Sequence, residues 1–395
     1  MLKRKIFNDP VYGFISIPYD IVFDVIEHPY FQRLRRIQQL GLSSLVYPGA
    51  THSRFHHSLG AMHLMYRSLE VLKSKGHEIT EDESQAAVLA ILMHDLGHGP
   101  FSHSLEGVLL DGVHHEHISM SLMSSLQDIF GAPITKAISI FTNQYPKKFL
   151  HQLVSGQLDM DRLDYLNRDS FYTGVSEGVI GYDRIINMLD VYDGNIVVEE
   201  KGIYSIEKFI VARRLMYWQV YLHKTGLVAD LMLKNAILRA KTLDAKFHIG
   251  VSEPLQYFLL NNISSDDFTD SLNIFTMLDD HDIMQALKIW MRSEDSILKT
   301  LSTAIINRNL FKMEFLTEQQ VLEKYKLMED KYNSVELQFL VLKGVAQNNA
   351  YNPEKDNIYI RFKDGSIKEI TDITEQWNIR SLTNPVIRHY IAYQK

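Results

Sequence analysis

Eleven of the 17 histidines fall between His52 and His117, and because imidazole both ligates metals and exchanges protons near neutral pH, the crowding points to a reaction centre. Inside that stretch Arg54-Phe55-His56-His57-Ser58 opens a helix, with Ser53 or Ser58 available as its cap. Three-residue spacing puts Arg54 and His57 on one face, so that one can hold a metal while the other meets an anion. Further along, the apolar run Ala90, Ile91, Leu92, Met93 finishes in His94-Asp95 before the break at Gly97, Gly99 and Pro100. A third segment, Leu158 to Asp169, sets Asp161, Tyr165 and Asp169 on one helical stripe and makes Asp161 a candidate fourth ligand. Two imidazoles with two carboxylates form an N/O site suited to Mn, Fe, Ni, Zn or Mg, with positions left open for water and phosphate oxygen. Singly these are ordinary polar residues; together, in this order, they are specific. His281-Asp282 is a different case, because its acidic run before Ile283 is what a helix N-terminus favours.

The elements that must carry these residues read as helices over most of the first 240 residues. Apolar periodicity predicts Tyr30 to Leu40, Ser58 to Lys73, Glu83 to His94, Ile118 to Phe130, Leu158 to Arg168 and one long helix from Ile206 to Asn235. Asp193-Gly194 before Ile196, Val197, Val198 predicts a hairpin across Val191 to Ile203. The pattern loosens over Phe247 to Asp267, which divides the chain into residues 1–245 and a C-terminal part, 246–395. Near the end Ile358, Ile360 and Phe362 alternate, Asp364-Gly365 turns, and Ile367 and Ile370 return, which predicts a small β-hairpin.

Composition narrows the function classes. The 395 residues carry 48 acidic and 41 basic side chains, a net charge of -7, which argues against DNA or another long polyanion as main partner. No apolar run is long enough to span a membrane and no signal-peptide stretch follows Met1, so a cytoplasmic protein is expected. With no cysteine, disulfides, thiolate nucleophiles and cysteine metal sites are excluded.

The order His57, His94-Asp95, Asp161 resembles the signature of HD-domain metal-dependent phosphohydrolases. Phe7-Asn8-Asp9-Pro10, Phe31 to Arg35, Gln39-Leu40-Gly41, Tyr47 to Ala50, Arg54 to Gly60, His94 to His103, Asp161 to Asp169 and Arg308 to Lys312 are similar to the SAM-and-HD-domain dNTP triphosphohydrolases of vertebrates and their bacterial relatives. The resemblance implies a mainly α fold, a helical HD-domain core with a small α+β C-terminal extension. It implies His57, His94, Asp95 and Asp161 as ligands of a divalent metal. His103 and His115 would handle protons, with Glu106 as carboxylate partner, and His98 and Arg54 would bind phosphate. Gln39, Leu40, Tyr165 and Asp169 would meet the sugar, Tyr221 would exclude a 2′-hydroxyl, and Arg162 and Arg213 would bind the triphosphate. The implied reaction turns a dNTP, with dGTP a natural candidate, into deoxynucleoside and tripolyphosphate.

Lys5, Glu27, Gln32, Arg35, Arg184 and Lys201 match allosteric positions in that family, whereas Ser366, Glu199 and Gln219 stand where it has Arg. A homo-oligomer, dimer or tetramer, whose assembly does not strictly require nucleotide is therefore expected. Gly181-Tyr182-Asp183 departs from the Gly-Tyr-Pro element of the cyclic-dinucleotide branch. Two rival readings are a phosphohydrolase for another nucleotide phosphoester, such as a nucleoside monophosphate or guanosine alarmone, and a single-stranded nucleic-acid binder with a vestigial site.

Overall fold

Asp9 starts the fold by accepting the backbone N–H groups of Val11 and Tyr12, which turns strand β1 (Ile6–Asp9) into antiparallel β2 (Gly13–Ser16). The computed structural model describes residues 5–264, 268–348, 351, 357–373 and 383–394, and of His103 the backbone alone. Two helices follow, α1 (Asp20–Glu27) and the short α2 (Pro29–Gln32). The helix expected to run to Leu40 instead tightens into a 3₁₀ turn and ends at Arg36. Its continuation is claimed by tertiary pairing: Ile37 accepts the N–H of Arg54, Gln39 donates to the carbonyl of His52, and the Gln38 N–H goes to Asp280.

The centre is helical. Helix α3 (Arg54–Ser74) starts a turn earlier than its apolar pattern suggested, because Ser53 and His56 form a reciprocal cap. Thr80 and Glu83 do the same for α4 (Glu81–Met93), in which Ala86 through Met93 are fully buried. A helix apolar on every side belongs in an interior, and α4 packs against α3 and α7 (Ala132–Phe141). Around it lie the one-turn α5 (Ser102–Leu105), α6 (His115–Phe130), α8 (Lys148–Val154) and α9 (Met160–Thr173). Asp159 caps α9 through the Arg162 N–H, and Gly174, at φ 74°, stops it.

After α10 (Tyr182–Met188), strands β3 (Leu189–Tyr192) and β4 (Asn195–Glu199) form the expected hairpin. Asp193 and Gly194 both have positive φ, as a two-residue type I′ turn requires. The expected long helix is two helices, α11 (Ile203–Met216) and α12 (Lys224–Lys241). Between them Tyr217–Tyr221 forms a π turn, closed by Leu222 N–H donating to the Tyr217 carbonyl, and His223 caps α12.

The C-terminal part adds α13 (Glu253–Leu260), α14 (Phe268–Phe275), α15 (Asp280–Trp290), α16 (Ser296–Ile306), β5 (Lys312–Leu316), α17 (Glu318–Glu329) and α18 (Ser334–Leu340). It ends in β6 (Val341–Asn348), the expected hairpin β7 (Tyr359–Arg361) and β8 (Ile367–Glu369), and β9 (Val386–Tyr393). The fold is thus mainly α, with β5-β9-β6 as one small sheet and β3-β4-β7-β8 as another, in which β7 joins β4 in parallel. No helix among the described residues is long and apolar enough to cross a membrane.

Asp190 on β3 ties that second sheet together, its carboxylate taking His77 at 2.5 Å and Arg361 of β7 at 2.8 Å. Burial pushes the Asp190 pKa up, but these hydrogen bonds and the Val191 N–H outweigh it and hold the carboxyl below its ordinary value. A group so depressed contributes stability above the ordinary carboxylate range and loses it as the pH falls through the folded-state pKa. Asp190→Asn is expected to cost about 1–3 kcal/mol at neutral pH. In urea titrations the gap to wild type should narrow only below about pH 4. A gap that stays constant on acidification would show that the charge is not what matters.

Candidate functional site

Three helix ends converge. The first turn of α3 brings His57, the C-terminal end of α4 brings His94 and Asp95, and the first turn of α9 brings Asp161. One donor atom each from His57, His94 and Asp161 lies within 4.8 Å of the others. Asp161 Oδ1 is 3.1 Å from His57 Nε2 and 3.6 Å from His94 Nε2. Both Nε2 atoms are buried without a hydrogen bond. Such orphaned nitrogens turned toward a carboxylate are what a cation between them would satisfy, and the N/O donor set fits a borderline divalent metal. Asp95 adjoins the trio, 3.2 Å from His94 Nε2 and 3.7 Å from His57 Nε2, and also meets Arg54 at 2.5 Å and His98 at 3.2 Å. Burial alone would lower the His57 pKa, but the carboxylates of Asp161 and Asp164 hold it up at about 10. That is the strongly anionic surrounding a cation needs.

Behind the trio stands a buried chain that no motif had singled out. His57 Nδ1 is 2.7 Å from Asp164 Oδ2, Arg168 donates to both Asp164 oxygens, and Arg168 Nη1 reaches Asp9 at 2.7 Å. Each side chain is essentially inaccessible. The packing is tight enough that a Cβ on Gly60 would fall 1.9 Å from Asp164 Oδ1. The available signal was spacing: Asp164 comes three residues after Asp161 and four before Arg168, which puts it on the α9 face turned to α3.

His94 and Asp161 of the trio, with Asp95, line a cleft of about 1010 Å³, and His57 lies buried behind them. On one side Arg54 donates to Ser102 Oγ at 2.9 Å as well as to Asp95. His98 and His115 stack at 4.0 Å, and His115 Nδ1 and its backbone N–H both meet Glu106 Oε1. Burial and then Arg54 push the His98 pKa well below its ordinary value, so this imidazole is neutral at neutral pH. His103 stands in the α5 turn between them, with its side chain outside the described residues. Arg162 lines the cleft while paired to Asp159. The cleft is also lined by Gln39, Leu40, Tyr165, Asp169, Tyr217 and Tyr221, with the Tyr221 hydroxyl donating to Asp169 Oδ2 at 2.8 Å. Burial and the Asp169 carboxylate push Tyr221 well above its ordinary value, so it stays a donor. Arg213 is the substrate candidate that does not reach the lining; its guanidinium donates to Gln157 at 3.0 Å.

The six positions expected at allosteric sites make their contacts in separate groups away from this cleft. Lys5 sits over Phe23, Gln32 pairs with Arg35, Glu27 is exposed, and Arg184 donates to the Lys201 carbonyl. The Asp279 to Asp282 run caps α15 as expected, and adds something the sequence did not announce. Asp280 accepts Gln38 N–H with one oxygen and Phe101 N–H with the other, tethering two segments that border the cleft.

Residues 54–169 match the HD domain family and residues 180–248 its HD associated region. Protein YwfO of Bacillus subtilis is 33% identical over 337 residues, covering 82% of this chain and 75% of its own length. A deoxynucleoside triphosphate triphosphohydrolase SAMHD1 homolog of Dictyostelium discoideum is 36% identical over 279 residues, 66% of this chain and 54% of that protein. The chain thus spans about half the length of that relative. The crystal structure of a phosphohydrolase from Bacteroides thetaiotaomicron superposes over 100% of both chains with a TM-score of 0.93 and 49% identity.

Proposed function

The chain belongs to the HD-domain family that includes deoxynucleoside triphosphate triphosphohydrolases, and from that membership we propose that it hydrolyses dNTPs, dGTP first among them, to deoxynucleoside and tripolyphosphate. One observation carries the reading beyond phosphohydrolase: His94 and Asp161 of the candidate metal trio, with Asp95, share a single cleft with Gln39, Tyr165, Asp169 and Tyr221, the groups that would read sugar hydroxyls. A divalent cation held by His57, His94 and Asp161, with Asp95 beside them, would supply a Lewis acid and an acidified water.

The remaining work falls to side chains. Arg54 and Arg162 offer positive charge to phosphate oxygens, and neutral His98 offers an N–H. Water adds to the α-phosphorus, the bond to the sugar 5′-oxygen breaks, and His115 or His103 delivers the proton that the leaving oxygen takes. Glu106 holds the His115 ring for that step. Asp169 and Tyr165 would take the 3′-hydroxyl, and Tyr221 would crowd a 2′-hydroxyl. Assembly into a homo-oligomer, with Lys5, Glu27, Gln32, Arg35, Arg184 and Lys201 near nucleotide between subunits, is part of the same reading.

Incubating the pure protein with each dNTP under Mn, Fe, Ni, Zn and Mg, and identifying the products, tests this directly. Tripolyphosphate and deoxynucleoside are expected. Orthophosphate or pyrophosphate would assign the site to another phosphoester, and salt-sensitive nucleic-acid binding without turnover would indicate a vestigial one.

A further inference from the structure

His52 has no place in the chemistry above, yet it is enclosed at the back of the cleft, with 2% of its surface exposed. Its Nε2 lies 2.7 Å from Asp169 Oδ1. Its ring stacks on Tyr172 at 4.4 Å and 17°, which fixes the plane from which Nε2 is presented. Its carbonyl accepts the Gln39 N–H at 3.0 Å. One residue therefore holds both parts of the hydroxyl-reading wall, the extended segment by its main chain and the α9 carboxylate by its side chain.

Asp169 is clamped twice, by His52 on Oδ1 and by the Tyr221 hydroxyl on Oδ2. A carboxylate oxygen accepts two hydrogen bonds, so each oxygen keeps one acceptor position, and Asp169 borders the cleft. A carboxylate with only one clamp could rotate about its terminal torsion, which is broad and shallow. With two clamps its free acceptor direction is set before ligand arrives, which is how a site selects a hydroxyl in one position.

We propose that His52 is the positioning residue for sugar recognition: by clamping Asp169 opposite Tyr221 it fixes the acceptor that reads the 3′-hydroxyl of the nucleotide. This rests on the dNTP reading of the cleft. His52 sets affinity and selectivity and takes no part in bond breaking.

The test compares wild type with H52L, which removes the donor, and H52Q, whose amide N–H can replace it, using dGTP and 2′,3′-dideoxyguanosine triphosphate. Bound metal and thermal midpoint are measured alongside. For H52L the KM for dGTP should rise roughly tenfold, about the worth of one hydrogen bond to a charged group, with kcat changed far less and metal content unchanged. The dideoxy nucleotide lacks the hydroxyl and should show little of that penalty, and H52Q should recover much of the loss. Should H52L fail to fold, H52N, polar but too short to reach Asp169, carries the same expectation. An equal penalty on both nucleotides, or none on either, overturns the proposal while leaving the dNTP reading intact. Absence of dNTP turnover by the wild type overturns that reading and the proposal with it.

Discussion

Asp161→Ala is expected to abolish turnover, by a factor of at least about 10³, and to leave the purified protein depleted of divalent metal, because a site losing one of its few donors becomes both weak and misaligned. Asp161 is the carboxylate shared by the trio, facing His57 Nε2 at 3.1 Å and His94 Nε2 at 3.6 Å. Without it the two imidazoles keep Asp95 alone as carboxylate partner of the site, 3.2 Å from His94 Nε2 and 3.7 Å from His57 Nε2. Burial would raise the Asp161 pKa, but His57 and His94 outweigh it and keep the carboxylate ionised well below its ordinary range. The carboxylate is therefore ionised at neutral pH. The paired change His94→Ala, Asp95→Ala should do the same from the α4 side. Elemental analysis beside a phosphate-release assay decides the matter: normal metal content with full activity in either variant would remove the site from the mechanism.

That prediction could be framed from the sequence because ligand chemistry admits few residue types. His57, His94, Asp95 and Asp161 stand at helix ends, where capping residues and glycine breaks mark positions well. The four aspartates between Asp159 and Asp169 were harder, since each does different work on one helix. Asp159 caps it and pairs with Arg162, Asp161 faces the trio, Asp164 turns to His57, and Asp169 borders the cleft. Which carboxylate points where depends on what packs against each face, and local pattern is silent on that. The extended Ile37–Gln39 segment was hidden for a related reason: its apolar spacing suits a helix, and only pairing with residues 52–54 makes it extended. Likewise, four-residue steps through Arg213, Tyr217 and Tyr221 read as one helix, whereas the π turn inserts a residue. Tyr217 and Tyr221 line the cleft, while Arg213, one ordinary helical turn before Tyr217, lies beside Gln157. The β5-β9-β6 sheet joins Lys312–Leu316 to Val386–Tyr393, a pairing too distant in sequence for periodicity to reveal.

The other large effect should come from Asp164, which touches no solvent and is no metal ligand candidate. Asp164→Ala removes the acceptor from His57 Nδ1 and strips Arg168 of its bidentate partner. The guanidinium then stays buried with Asp9 and the Tyr12 ring as company. Breaking a buried ion pair from one side costs up to about 3–5 kcal/mol, and Asp9, still 2.7 Å from Arg168, offsets part of that loss. Losing the carboxylate behind a ligating imidazole typically weakens metal binding about 10–100-fold. The two losses have different origins and can be separated. In D164A combined with Arg168→Leu the half-paired guanidinium is gone and Asp9 keeps the Val11 and Tyr12 N–H groups, so part of the stability should return, while metal affinity should stay low because His57 still lacks its orienting partner. Thermal midpoints and metal titrations on the single and double variants read the two quantities independently. If D164A bound metal as tightly as wild type, the chain from Asp9 to His57 would be scaffolding for α3 and α9 and nothing more. If the double variant regained both, the imidazole would need no orienting carboxylate, and the role assigned to Asp164 would pass to the helices themselves.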